Sequence, residues 1–326
     1  MSELLADSEI ALLTEIASLY YVERETQEHI SRKLHISRVK VGRLLKKAQA
    51  VGIVDVRVRH HPGVSANLES SLVEKFGIKR ALVAPDFSDA TRQRNAVAAL
   101  VADYLTRRLE DNTIVAVGIG RNVGSIANNV FTQTTCSAAF VSAIGGSLKA
   151  GEYMNPDHIC RRLAAKFGGE SETLYAPALV QDPAVRQALE KNSTVKQTLD
   201  RARRADLALV GVGDMSEDSN MVRMGWFSPQ EIAEARLAGT VGDIMGYDFI
   251  DIRGEETQPD MRGRVIGLDI NDLKRIPDVI AIASENTKVS GIIGALRTGV
   301  IDTLATSTTN ALTILELADL TTKPSH

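Results

Sequence analysis

Beyond residue 62 the sequence alternates short runs rich in valine, isoleucine and alanine with longer segments of helical period, and this alternation limits the architecture more than any other feature. Arg80–Ala84, Ile114–Ile119, Ala138–Ile144, Thr173–Ala176, Leu207–Val212, Arg264–Leu268, Asp278–Ala283 and Val300–Leu304 read as strands. Between many of them lie predicted helices at Ala90–Leu109, Val123–Phe131, Pro156–Phe167, Pro183–Arg203, Pro229–Ala238, Thr287–Arg297 and Thr309–Ala318. Strands with so little polar alternation need cover on both faces. The expected body is therefore α/β, a mostly parallel sheet with helices on each side.

At 326 residues and 44% hydrophobic content the chain is expected to hold two domains. We place a small one at 1–60, a linker at 61–66 and the sheet domain at 67–326. No run approaches the roughly 18 apolar residues of a membrane span, and the N-terminus lacks a signal pattern, so a cytoplasmic protein with no membrane partner is expected. Cys136 and Cys160 cannot make a disulfide framework and have no histidine cluster beside them. They read as small buried residues, and neither a metal nor a cofactor is expected.

The net charge of -3 hides a segregated distribution. Arg32, Lys33, Arg38, Lys40, Arg43, Lys46, Lys47, Arg57 and Arg59 fall between Ser31 and His60 with a single acid, Asp55, while acidic residues outnumber basic ones afterwards. A basic module on an acidic body fits a polyanion-binding head, although charge alone fits a solvated helix face better. Local pattern sharpens the reading. Apolar residues at helical spacing predict one helix over about Asp7–Glu23; Thr26 caps a second, with Ile30 and Leu34 buried; Ser37 caps a third, Arg38 to about Ala50, with Val41, Leu44 and Leu45 inward. Two helices joined by a three-residue turn form a helix-turn-helix, whose second helix offers its N-terminal residues to base edges. The solvent side of the stretch from Ser37 to Arg43 is expected to meet DNA, with Arg38, Lys40 and Arg43 as readout candidates, and Gln27, Ser31, Lys46 and Lys47 suit phosphates. Val54–Arg59 alternates at period two like the strand of a wing, which would present Arg57 and Arg59.

Ligands on a parallel sheet bind at the carboxyl ends of strands, so the loops after the apolar runs hold the candidate chemistry. The first is Gly118-Ile119-Gly120-Arg121-Asn122-Val123-Gly124-Ser125, whose backbone N–H groups suit a phosphate. The others are Gly145-Gly146-Ser147, Gly211–Met215, and Gly242-Asp243 with Ala283–Lys288. Taken singly, each glycine pair is as well explained by a tight turn, Asp243 by a cap and Lys288 by a solvated first turn. Trp226 has no assigned role. A nicotinamide-binding reading of the first loop fails for want of an acidic residue about 20 residues on.

The stretch TQEHISRKLHISRVKVGRLLKKAQAVGIV resembles the DNA-binding head of the SorC/DeoR-type sugar-binding transcriptional regulators. The ordered words VGIG, IGG, LYAP, LVGVGDM, VGDI, RVIGLDINDLKRIPDVIAIA and ALRTGVIDTLATSTTNAL are similar to the effector domain of the same family. His35 departs from the glycine usual in such turns. The resemblance implies a winged helix-turn-helix joined to a domain related to sugar-phosphate isomerases, binding double-stranded operator DNA as a dimer or tetramer. It implies a phosphate loop at Gly118–Ser125, a hydroxyl-accepting carboxylate at Asp243, a phosphate-contacting cation at Lys288, and Asp214 and Met215 lining the same region. This sequence lacks the family's phosphate-loop threonine and carries Ser284-Glu285-Asn286 where glycines are common, which keeps a sugar, a polyol and a sugar phosphate all open as effectors. The expected function is transcriptional regulation, most often repression relieved by inducer, and not catalysis; an isomerase- or deaminase-like enzyme with a fused DNA-binding head is the alternative.

Overall fold

The computed structural model describes residues 7–54, 65–132, 135–151 and 153–320. The chain divides into two compact units, Met1–His61 and Pro62–His326.

In the first unit α1 (Asp7–Ala17) continues into a π-helical turn at Ser18–Val22, followed by α2 (Gln27–Lys33) and α3 (Arg38–Ala50). The expected single helix to Glu23 thus changes its winding at Ser18. Thr26 and Ser37 cap α2 and α3, their side-chain oxygens each accepting a backbone N–H at 3.2 Å, from His29 and Lys40. These caps satisfy donors that the first helical turn leaves free. His35 takes a left-handed φ of 52° in the turn. Ser31 closes that turn twice, its hydroxyl donating to the Ile36 carbonyl and its carbonyl accepting the Ile36 N–H. Leu13, Ile16, Leu19, Ile30, Val41, Leu45 and Ala48 fill the interior. The predicted wing, with Arg57 and Arg59, and linker residues 61–64 lie outside the described residues.

The second unit runs α4 (Ala66–Phe76), β1 (Arg80–Ala84), α5 (Ala90–Arg108), β2 (Ile114–Val117), α6 (Arg121–Ile126), β3 (Ala139–Ser142), α7 (Pro156–Phe167), β4 (Glu170–Glu172), α8 (Pro183–Lys191), α9 (Ser193–Ala202), β5 (Leu207–Asp214), α10 (Asn220–Arg223), α11 (Pro229–Leu237), β6 (Thr240–Ile244), β7 (Asp248–Asp251), α12 (Pro259–Arg262), α13 (Ile270–Leu273), β8 (Asp278–Ile282), α14 (Val289–Arg297), β9 (Thr303–Ser307) and α15 (Thr308–Leu320). No described helix is long and apolar enough to cross a membrane.

The parallel sheet has the order β1-β9-β8-β5-β2-β3-β4. Period-two alternation sorts its side chains. Val115, Val117, Phe140, Leu207, Leu209, Ile280 and Ile282 face one layer with Val97, Val101 and Leu105 of α5 and Ile159, Leu163 and Phe167 of α7. Ala116, Val141, Ala208, Val210, Val212, Val279 and Ala281 face the other, with Val195 and Leu199 of α9, Ile292 and Ile293 of α14 and Ile314 of α15. Both faces are covered, as continuous apolar strands require.

Several boundaries differ from expectation. Thr173–Ala176 is not a strand; β4 lies just before it at Glu170–Glu172. Arg264–Leu268 contributes only isolated bridges, Val265 to Leu179 and Gly267 to Ile144. The helix expected over Pro183–Arg203 breaks at Asn192, whose side chain caps α9 by accepting from the Thr194 and Val195 N–H groups. The hairpin of β6 and β7 was not expected; β6 pairs antiparallel with the end of β5, setting Gly213 opposite Asp243.

That hairpin admits α14 at very short range. A β-carbon on Gly291 would lie 2.5 Å from the Gly213 carbonyl oxygen, and one on Gly242 would lie 2.6 Å from the Gly291 α-carbon. Gly291→Ala should therefore cost about 1–3 kcal/mol of stability by overpacking, read as a lower denaturant midpoint with an unchanged slope.

Candidate functional site

β2 leads outward to β3 and β4, whereas β5, its other neighbour, leads in the opposite direction to β8. At such a switch point the loops leaving the strand ends diverge and open a crevice. A cavity of about 260 Å³ lies there. It is lined by Gly120, Arg121 and Asn122 after β2, by Gly211–Asp214 of β5, by residues of the 216–224 segment, by Asp243 and Gly246, and by Glu285, Thr287 and Lys288 after β8. The volume lies just below the roughly 300–1,000 Å³ of drug-sized sites and suits a small ligand.

Asp243 is the most enclosed of the cavity's charged groups, at 1% exposure. Its Oδ1 accepts the Gly246 N–H at 2.5 Å, while Oδ2 has no partner among the described residues. Burial pushes its carboxyl up to about 7, and the nearby Asp214 charge adds to the rise against the lowering effects of the Gly246 N–H and Lys288. A buried acceptor without a donor is costly, and a proton on the carboxyl group removes part of that cost. Asp214 is already engaged, by the Ser216 N–H at 3.0 Å and the Thr287 hydroxyl at 2.7 Å.

Glu285 shares the cavity in the opposite state. Burial pushes its carboxyl up, but Lys288, Asn122 and Arg94 outweigh that and hold it at about 2. Its Oε2 lies 3.1 Å from the Lys288 Nζ and accepts from the Asn122 Nδ2 at 2.8 Å; Oε1 lies 3.5 Å from the Arg94 Nη2. The Ser284 hydroxyl donates to the Asn122 Oδ1 at 2.7 Å, fixing the amide. At the mouth Arg223 forks onto Asp218.

Of the effector-site residues expected from sequence, Gly120, Arg121, Asn122, Asp214, Asp243 and Lys288 line this cavity; Gly118, Gly124, Ser125, Gly145 and Gly146 do not. Gly120 has φ 122° and ψ 165°, a conformation that favours glycine, and its N–H is donated to the Met154 carbonyl at 3.2 Å. A β-carbon on Gly124 would fall 1.9 Å from the Tyr153 carbonyl oxygen, so this glycine serves chain packing. Ser125 donates to the Arg121 carbonyl, and Gly118 to that of Leu209. Gly145 and Gly146 donate to Ile266 and Ala176, tying two neighbouring segments to the end of β3; Gly146 and Ser147 line a separate depression with Leu148 and Tyr175. Trp226 is buried and donates to the Ser147 hydroxyl at 3.2 Å. Sequence reasoning missed Arg94, Asp218, Arg223 and the part played by Glu285. The 216–224 segment carries no strand or glycine signature, and only the charged pattern Asp218 to Arg223 marks it.

On the first unit Arg38, Val39, Lys40, Arg43, Lys46 and Lys47 are exposed on α3. Ser37 is engaged as the α3 cap. Gln27 is half-buried, its Oε1 lying 3.5 Å from where a β-carbon on Gly42 would be. Lys47 pairs with Glu9 of α1. Arg57 lies outside the described residues.

A cavity of small-ligand size at a sheet switch point, with one buried carboxyl oxygen lacking a partner among the described residues, lies in a domain of the α/β class. Residues 60–316 match the family described as "Putative sugar-binding domain", and the chain belongs to that family. It is 53% identical to a Vibrio fischeri structure described as "Putative Sugar-Binding Domain of Transcriptional Repressor", which covers 78% of this chain and 100% of that one with a TM-score of 0.73. It is 29% identical to the full-length sorbitol operon regulator SorC from Klebsiella pneumoniae, over 95% of this chain and 100% of that one, with a TM-score of 0.70. It is also 27% identical to the erythritol catabolism regulatory protein EryD of Brucella abortus (strain 2308), over 90% of this chain and 93% of that one. These relatives are transcriptional regulators.

The Asp243 environment gives a pH signature. From its ordinary 3.8 the native carboxyl is raised to about 7, so across that window the folded chain keeps a proton that the unfolded chain gives up. This contribution is fully present below the unfolded value and is lost as pH rises through about 7. Asp243→Asn should remove it, and the loss of unfolding free energy between about pH 5 and about pH 8 should be smaller in the variant, measured by urea titration at each pH.

Proposed function

We propose that this protein is a DNA-binding transcriptional regulator controlled by a sugar, polyol or sugar phosphate held in the cavity at the ends of β2, β5 and β8. The observation that carries the reading is the buried, unpartnered Oδ2 of Asp243 in a chain of a sugar-binding family. A sugar hydroxyl is the donor this oxygen lacks. The cavity residues proposed to meet the effector are Gly120, Arg121, Asn122, Asp214, Asp243 and Lys288.

In this reading α2 and α3 form a helix-turn-helix, with residues 55–59 supplying a wing. The left-handed His35 and the capped start of α3 support it. Arg38, Lys40 and Arg43 read bases, Gln27 and Lys46 position the backbone, and Arg57 belongs to the wing. The sheet domain, related in fold to sugar-phosphate isomerases, follows the linker at 61–66. One head makes few phosphate contacts, so a dimer or tetramer binds the operator. The effector acts by preferring one state of the regulator, and a full switch from 1:99 to 99:1 needs a preference of about 5.5 kcal/mol. The most common sense of such control is repression released by inducer, in the cytoplasm.

One observation favours an enzyme as second reading: a carboxyl poised near neutrality is what general acid–base chemistry uses. Turnover of a sugar phosphate by the pure protein would establish it; the regulator reading expects none.

The primary test is a thermal-shift screen against sugars, polyols and their phosphate esters, because a ligand that binds only the native state raises the midpoint. Hits are then added to operator-binding assays, where they should change affinity. In the same assays Arg38→Ala should cost about 1–3 kcal/mol and relax specificity at one base position. Lys46→Ala should weaken all sequences alike and reduce the salt slope by about one. Unchanged affinity in both variants would remove α3 from the interface.

A further inference from the structure

Three cations line the cavity among the described residues, Arg121, Arg223 and Lys288, against four carboxylates, Asp214, Asp218, Asp243 and Glu285. A phosphoryl group carries up to two negative charges and offers only acceptors once ionised. It would need cations and N–H groups that are not already spent. Arg121 makes no ion pair among the described residues but is exposed to water, and Arg223 forks onto Asp218 through two bonds. Lys288, with a side chain 12% exposed, is spent on Glu285 at 3.1 Å. The Asn122 amide turns its Nδ2 to the same Glu285 oxygen at 2.8 Å, and the Gly120 N–H at the start of α6 goes to the Met154 carbonyl. An ammonium, an amide and, on the other oxygen, the Arg94 guanidinium thus converge on one carboxylate. Such a group of donors would hold an anion, and the chain supplies that anion itself.

We propose that Glu285 is a built-in counter-anion that occupies the anion-binding donors of the cavity and so makes the protein selective for an uncharged polyhydroxyl effector over its phosphate ester. The inference rests on the effector-binding reading above and adds a specificity-determining residue to it. An uncharged polyol leaves the Glu285–Lys288–Asn122 group undisturbed and brings hydroxyl donors to Asp243 and Asp214. A phosphate ester must displace a carboxylate held by three partners, or place its charge beside four acidic side chains. Burial makes either route more costly, because the surrounding water cannot screen the repulsion.

The test is isothermal titration of the full chain with erythritol, ribitol, xylitol and D-glucitol, with the monophosphate ester of each, and with inorganic phosphate. The expected result is that a free polyol binds and that its own ester binds more weakly by roughly tenfold or more. In Glu285→Gln, where the side chain keeps its shape and loses its charge, that ratio should narrow or invert, and inorganic phosphate should gain affinity. If this variant does not fold, Lys288→Gln asks the same question from the other side: it should leave the ratio of polyol to ester affinity unchanged, since the lysine is not available to phosphate. An ester that outbinds its parent polyol in the unsubstituted chain overturns the role of Glu285 and leaves the effector reading standing. So does an unchanged ratio in Glu285→Gln, or a loss confined to the ester in Lys288→Gln. Failure of all these compounds to bind overturns both this inference and a polyol as effector, and the wider sugar screen then decides the effector reading separately.

Discussion

Backbone meets backbone where α14 crosses the β5–β6 pair, and the cavity depends on that contact. Gly242 and Gly291 leave no side chain between helix and hairpin, and Gly213, whose β-carbon would fall 1.9 Å from the Asp243 Oδ2, makes room for that carboxyl group. The approach fixes both charged clusters at once. Asp243 follows Gly242 on β6 and faces Gly213 across the ladder, while Glu285 and Lys288 lie just ahead of α14. A helix held farther away by even one methyl group would carry Lys288 with it, and the lysine balances the charges of both Glu285 and Asp243. Packing at three glycines therefore sets the electrostatics of the site, because protein interiors transmit a displaced atom rather than absorb it.

Within one cavity two carboxylates, Asp243 the more deeply buried, end in opposite states. Asp243 has one backbone N–H and a distant lysine, so desolvation wins and the carboxyl rises to about 7. Glu285 has an ammonium, an amide and a guanidinium, so its partners win and it falls to about 2. The deeper burial of Asp243 and the larger number of partners at Glu285 act in the same sense. Lys288 lowers both groups, and the two carboxylates compete for it. A ligand that donates to Asp243 relieves that competition without touching Glu285, whereas one that draws the lysine away leaves Glu285 as an under-compensated buried charge. A hydroxyl is therefore the gentler guest for this site.

The sequence made the parallel core legible where a strand holds an apolar run, as over Leu207–Val210 of β5 and Val279–Ile282 of β8, and the helix starts legible where a capping side chain precedes them, as at Thr26 and Ser37, or a proline opens them, as at Pro156. It did not reveal β6 and β7. Thr240-Val241-Gly242-Asp243-Ile244 contains a glycine and a buried acid, and β7 opens on a second buried acid, Asp248, which pairs with Arg262 at 2.6 Å. Glycine misled in a specific way. A glycine that a ligand approaches and one that a carbonyl approaches look the same in sequence, so Gly124 and Gly145 read as part of a ligand cradle although Tyr153 and Pro177 fill the space in front of them. Arg94 left no trace, because its contact with Glu285 spans 191 residues and only the folded sheet brings α5 to the end of β8. The site was legible where it lies on strand-end loops and opaque where it lies on helix flanks.

In the small first unit polar side chains do structural work that the limited interior cannot do alone. Thr26 and Ser37 start the helices, Ser31 locks the turn between them, and Lys33 and Lys47 pair with Glu25 and Glu9. His35 holds a left-handed backbone that most side chains resist, at a cost that the two Ser31–Ile36 hydrogen bonds offset. Ser31 therefore leaves the set of phosphate contacts suggested by residue type, since its proton is committed to the turn. Arg38, Lys40, Arg43 and Lys46 have no such structural task in the described fold. Between them Val39 is 73% exposed, an apolar side chain among cations that takes no part in the unit's buried core. Charges and a methyl-bearing side chain that the fold does not use, gathered on the opening turns of α3, are the surface that the proposed contact with DNA requires, because guanine edges take guanidinium groups and thymine methyls take apolar ones.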